Sequence, residues 1–242
     1  MTALLPKEKT RPATNLGNQI ILLYGKPKVG KSTLASKFPG AIFAATEPGL
    51  KYLNVHQVQV GDWRVFKTLC VELLQSDHEF KTLIVDTVDL LWNHLCDHIC
   101  RKEGVSHISD FKSFSKGYRM AKDELQRVLT KVANLTTKRG HSMGLVLISH
   151  VTETQDDGSL VWAPSISQSP RQVLMSMADV ICFADIYKDS SGDVKRVLRL
   201  GPHPNYMTGG RIPNLPDVVN LEYKEFETAV IDALEEVNDD GK

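Results

Sequence analysis

The chain has 242 residues, enough for one α/β domain with a sizeable buried core. Hydrophobic residues make up 42% and charged residues 24%, an ordinary globular balance, and no apolar run approaches the roughly 20 residues a membrane-spanning helix needs. Twenty-nine basic residues offset 29 acidic ones, so bulk charge is excluded as a route to nucleic acid; such contact must come from a local patch or from several subunits together.

Residues 1–17, rich in Lys, Pro, Thr and Asn, read as a flexible lead-in without the apolar stretch of a secretory signal, and the cytoplasm is the expected location. A single domain is expected over 18–237, with a disordered tail at 238–242. The apolar run at 19–24 suits a strand buried on both faces. A glycine-rich loop follows, then a helix over 32–38 that Pro39 and Gly40 stop. Strands are expected at 41–45 and 57–60, a helix at 63–75, a buried strand at 83–86 and a helix at 89–103.

In that last helix His94, Cys96, His98 and Cys100 resemble a metal cluster. On a helix the two histidines share a face while the cysteines lie about 200° away, so one ion cannot collect all four. They read as packing and surface residues. Cys70 and Cys182 complete the cysteines, and no CxxC spacing or disulfide framework is evident.

A polar stretch at 106–115 leads to an amphipathic helix at 118–135 and a buried strand at 144–149. Short apolar strands alternating with helices predict a parallel sheet with crossovers. Beyond it the reading changes: a hairpin at 151–162 turning on Asp157 and Gly158, strands at 179–187 and 194–200, a polar loop at 201–216 and a final helix at 223–237. The expected fold class is α/β, a mainly parallel sheet flanked by helices, with antiparallel strands toward the C-terminus.

Gly25, Lys26, Pro27, Lys28, Val29, Gly30, Lys31 and Ser32 match the phosphate-loop pattern GxxxxGK[ST] at every fixed position, between an expected strand and an expected helix. The glycines permit backbone angles at which successive N–H groups point inward at phosphate oxygens, and the helix start adds its positive dipole end. Lys31 is expected to reach the β- and γ-phosphates, Ser32 to ligate Mg²⁺, and Thr33 to complete the nucleotide contacts. Asp86, at the tip of the 83–86 strand, is the second expected Mg²⁺ partner, as in a Walker B element; a helix-capping role falls more naturally to Asp89.

Hydrolysis also needs a group that activates water. Many P-loop ATPases place a Glu directly after the Walker B Asp, but here that residue is Thr87. Glu47, at the tip of the second strand, is the remaining candidate, with a solvent-facing turn residue as the alternative. His150 closes the 144–149 strand and either senses the γ-phosphate or is simply bonded to backbone.

Together these elements resemble the RecA-like class of ATPases, which places its catalytic Glu after the strand following the phosphate-loop helix, as Glu47 is placed. That class also carries a polar γ-phosphate sensor at the end of the strand after Walker B, where this chain has His150. A closer resemblance is to small phage-encoded RecA-like proteins, some of them single-strand annealing recombinases. It rests on GKPKVGKST, ATEPGL, LIVDTVDLLW, SDFKSFSKGYRMAKDELQRVL, LISHV and TGGRIPNLPDVVNL, and covers roughly residues 19–234. A longer polar insertion, GPHPNYM, precedes Thr208 and departs from that family.

What the resemblance implies is binding of ATP and Mg²⁺, ATP hydrolysis, assembly into a homo-oligomeric ring or filament on single-stranded DNA, and strand annealing in phage recombination, with a single-strand DNA-binding protein as helper and no membrane. DNA would be met by residues 152–162 and 164–171, with Trp162 either stacking on a base or packing on its own sheet. A basic residue from the next protomer would complete the site, and Arg211 leads Lys195, Arg196 and Arg199 for that role because Gly209 and Gly210 would let its loop approach another surface; the alternative is that Arg196 and Arg199 are solvated strand residues and Arg211 forms a loop salt bridge. The competing reading is a replication or packaging accessory protein that contacts proteins and never DNA. A small-molecule or nucleotide kinase suffers from the lack of an arginine-rich lid.

Overall fold

The computed structural model describes residues 15–113 and 115–239. Ile20–Gly25 forms β1, whose side chains alternate between two apolar layers: Leu22 and Tyr24 join one, Ile21 and Leu23 the other. A strand covered on both faces has no polar side to show, which is why its sequence is nearly all apolar. The same holds for β2 (Ala41–Ala45), β4 (Thr82–Asp86) and β5 (Gly144–Ser149). A short β3 (His56–Gln59) lies outside β2 and is mostly exposed.

Five strands, β1 to β5, are mutually parallel and their order runs β1-β5-β4-β2-β3. On the other side of β1 comes β8 (Val180–Lys188), still parallel, then β9 (Val194–Arg199), antiparallel, and β11 (Val218–Asn220) beyond it. A two-residue β10 (Gly209–Gly210) pairs with the start of β8. The hairpin of β6 (Val151–Asp156) and β7 (Ser159–Pro164) forms a separate two-stranded sheet. This is an α/β P-loop fold: a mainly parallel sheet with antiparallel strands toward the C-terminus.

Four helices cover one face: α2 (Trp63–Gln75), α3 (Val88–Glu103), α4 (Lys116–Ala133) and α5 (Gln168–Met177). The opposite face carries α1 (Lys31–Ala35) and α6 (Tyr223–Asp239), with Leu16 from the N-terminal side. The lead-in expected at 1–17 lies outside the described residues as far as 14; Leu16 is already packed, at 1% exposure. Of the expected tail, residues 240–242 fall outside the described residues and α6 runs two residues further than anticipated. Among the described residues no helix is long and apolar enough to cross a membrane.

Candidate active site

Parallel register brings the C-terminal ends of four strands to one edge. Tyr24 of β1 stands opposite Ser149 of β5, and Asp86 of β4 lies between Ala45 of β2 and Ile148 of β5. The ends of these strands and the segments just beyond them border a common cleft of about 530 Å³, lined by Lys31, Ser32, Glu47, Asp86, Thr87 and His150 among others. Four segments spread over 120 residues of sequence thus contribute to one site because they are neighbours in one sheet.

The phosphate loop leaves β1 at Gly25. A Cβ there would sit 2.4 Å from the Ala184 carbonyl oxygen, so only glycine lets β1 and β8 run side by side up to the turn. Gly30 closes the loop with φ 118°. Pro27, Lys28 and Thr33 line the cleft, whereas the Val29 side chain is buried in the apolar layer beneath. Lys31 is 7% exposed, and its ammonium donates to the carbonyls of Gly25 at 2.8 Å and Lys26 at 3.0 Å. The helix that follows is shorter than the expected 32–38, only five residues. A helix of five residues adds little axial dipole to the N–H groups of the loop.

Ser32 donates from Oγ to Asp86 Oδ2 at 2.7 Å, and Asp86 is 4% exposed. Burial pushes the Asp86 carboxyl above its ordinary value, the Ser32 hydrogen bond and Lys31 opposing it and Glu47 adding to it. Burial likewise lowers the Lys31 ammonium, against the pull of Asp86, Asp89 and Glu47. In both groups the cost of leaving water outweighs their mutual attraction. Glu47 and Asp86 line the cleft together with Lys28 and Lys31, and a divalent cation would let a polyphosphate lie against the two carboxylates. The oxygen donors of Ser32 and Asp86 suit Mg²⁺. Beside them the Thr87 hydroxyl is buried with no hydrogen-bond partner, a further oxygen free to serve such a ligand.

Glu47 faces this cleft, not the solvent side of its turn. Its position is set by the preceding residue: Thr46 N donates to the Asp86 carbonyl at 2.8 Å, Thr87 N donates to Thr46 Oγ1 at 2.7 Å, and Thr46 Oγ1 donates to the Thr87 carbonyl at 3.0 Å. This stitch ties the end of β2 to the end of β4. His150 Nε2 lies 3.8 Å from Glu47 Oε1, and its Nδ1 is 2.7 Å from Asp89 Oδ2. The ring is thus held by a carboxylate and not by backbone, with Nε2 left on the cleft side. Asp89 does not cap α3, whose cap position, Thr87, makes no side-chain cap bond. Thr46 is the residue that local spacing missed, and Asp89, expected as a helix cap, holds the His150 ring instead.

The later strands and the final helix lie close to their expected limits, while the segments expected to meet DNA are less open than anticipated. The 152–162 segment is a hairpin as anticipated, but from Val151 to Pro164 it carries three carboxylates, Glu153, Asp156 and Asp157, and no cation. Trp162 is half-buried against the core, with the Lys26 ammonium 5.3 Å from its ring centre and the Tyr24 hydroxyl donating to its carbonyl at 3.1 Å. Residues 164–171 are no open loop: α5 begins within them, and Arg171, 8% exposed, donates twice to the Ile166 carbonyl.

Arg211 lies at the far end of the strands from the cleft, beside the start of β8. There it pairs with Asp179 at 3.2 Å and donates to the Ser176 carbonyl. Lys195 pairs with Asp189 and Arg199 with Asp185. Arg196 instead borders a groove that it shares with Gly30 and Thr33.

The chain is similar to the SPbeta prophage-derived uncharacterized protein YorG of Bacillus subtilis (strain 168), 23% identical over 146 residues, covering 58% of this chain and 43% of that protein. The match thus takes in less than half of that relative's length. Among solved structures, a KaiC-like protein from Pyrococcus horikoshii OT3 is similar at 13% identity and a TM-score of 0.46, over 79% of this chain and 81% of that one. The AAA domain family matches residues 17–212, and the chain belongs to it.

Proposed function

We propose that this protein is a Mg²⁺-dependent ATPase that acts on single-stranded DNA in phage recombination, annealing strands as a homo-oligomer. The observation that carries the enzymatic part is the meeting of Lys31, the Ser32–Asp86 pair, Glu47 and His150 at one cleft. The loop N–H groups and Lys31 would take the phosphates. Ser32 and Asp86 would hold Mg²⁺, which when bound neutralises phosphate charge. Glu47 is the carboxylate available to accept a proton from water, and His150 turns Nε2 toward the same space. The prophage-derived description of the Bacillus subtilis relative supports a phage setting.

For DNA the acidic hairpin is a poor surface. The exposed cations Lys112, Lys116 and Arg119, around the head of α4, form a better one: they make no ion pair among the described residues, while overall charge is balanced. A single-strand DNA-binding protein is the helper that belongs with this reading. The test is ATP hydrolysis with and without single-stranded DNA, on the parent and on a Lys116→Glu/Arg119→Glu variant. The expected result is DNA-stimulated turnover in the parent, lost in the variant, together with annealing of complementary strands. Steady hydrolysis indifferent to DNA, with no DNA bound, would leave the accessory role toward other proteins.

A further inference from the structure

We infer that Asp89 is a positioning residue of the hydrolytic site, acting through His150; this rests on the ATPase reading above. Asp89 stands in the first turn of α3, where a carboxylate ordinarily turns to the free N–H groups of the helix start. It does not do so. One oxygen lies 2.7 Å from His150 Nδ1 and the other accepts the His150 backbone N–H at 3.3 Å. The two residues are 61 positions apart, and the pairing clamps both the ring and the main chain at the end of β5.

The chemistry of the clamp assigns the ring. An ionised carboxylate only accepts, so Nδ1 must carry the hydrogen, and Nε2 is left to face Glu47 Oε1 at 3.8 Å and the cleft. Asp89 is well suited to the task, since its side chain is only 13% exposed and so is held more tightly than the half-open His150 at 31% and Glu47 at 34%. Without the clamp, the ring is free to turn about its last torsion or to move its hydrogen to Nε2. Either change alters what His150 presents to the reacting end of a nucleotide. A buried carboxylate that holds an imidazole in one tautomer, and touches no substrate itself, is a known way to sustain turnover.

The experiment compares the parent with Asp89→Asn, Asp89→Glu, His150→Ala and the Asp89→Asn/His150→Ala double variant. Turnover and affinity for a fluorescent non-hydrolysable ATP analogue are measured on each, and the ¹⁵N pattern of the His150 ring on those that keep it. Asp89→Asn should lower kcat roughly 10–100-fold, the scale for losing an outer partner of an active group, while analogue affinity stays within about threefold. The ring should lose its Nδ1–H signature, and Asp89→Glu should restore part of both. Adding Asp89→Asn to His150→Ala should cost nothing more, because the residue acts only through the ring. Equal turnover and an unchanged ring tautomer in Asp89→Asn would overturn the role, as would full additivity in the double variant. If Asp89→Asn does not fold, Asp89→Ala, which also removes the carboxylate, carries the same test. A parent that hydrolyses no nucleotide overturns the ATPase reading and this role with it. A hydrolysing parent indifferent to Asp89 overturns the role alone.

Discussion

Glu47 and Asp86 lie in one cleft, but their surroundings set them apart. Asp86 is buried and bonded to Ser32, in place to hold a metal, while Glu47 is a third exposed and bonded to neither. Glu47→Gln should therefore keep nucleotide affinity and lose turnover by roughly 10² or more. Asp86→Asn should also weaken Mg²⁺-dependent binding, read by titrating a fluorescent analogue with and without Mg²⁺. If Glu47→Gln turns over like the parent, water activation belongs to another group. The phosphate loop, Asp86 and the two strand-end candidates were legible in the sequence because each follows a short apolar run, and strand ends in a parallel sheet share an edge. Thr46 and the part Asp89 plays were not, since their partners, Thr87 and His150, lie 41 and 61 positions away. A local pattern gives no signal for a bond that only the finished sheet creates.

At the scale of elements, the long periodic pieces were readable and the short irregular ones were not. Helix α2 matches its expected limits, and Asp62 caps it by accepting from the N–H groups of Arg64 and Val65. Helix α5 was missed because Pro170 interrupts its sequence. Yet Pro170 stands in the first turn, where its missing N–H has no helical partner to lose. Strands β10 and β11, of two and three residues, are too short to show a period. Helix α6 was legible, and Phe226 is its anchor at 1% exposure. Phe226→Ala should cost about 3–5 kcal/mol, read as a lower denaturant midpoint with an unchanged slope. At the head of α4, removing the charge of Lys116 or Arg119 should take away one phosphate partner and flatten the salt dependence of single-strand binding by roughly 0.7 in slope, checked by affinity at several salt concentrations. An unchanged slope would move the DNA surface elsewhere.

For the whole molecule, the distance between Arg211 and its own cleft is the informative feature. A cation at one end of the sheet and phosphates at the other meet only if copies stack head to tail, so a catalytic Arg211 requires assembly. Lys31→Ala and Arg211→Ala proteins, each inactive alone, should regain hydrolysis when mixed, where an intact loop meets an intact Arg211. A dead mixture of variants that still assemble would sink Arg211 in this role, and Arg196, which shares a groove with Gly30 and Thr33, would become the residue to substitute.

The two faces of the sheet are covered unequally, by four helices on one side and by α1 and α6 on the other. A five-residue helix has almost no stability of its own, so the layer beside the glycine-rich loop is also the layer expected to open first. Its amides should exchange with deuterated water well before those of the four-helix face. A nucleotide at 100 times its dissociation constant adds about 2.7 kcal/mol to the closed state, and that gain should appear first as slowed exchange in α1 and α6. The thin side of the molecule is in this sense its adjustable side, tightened by the ligand it receives.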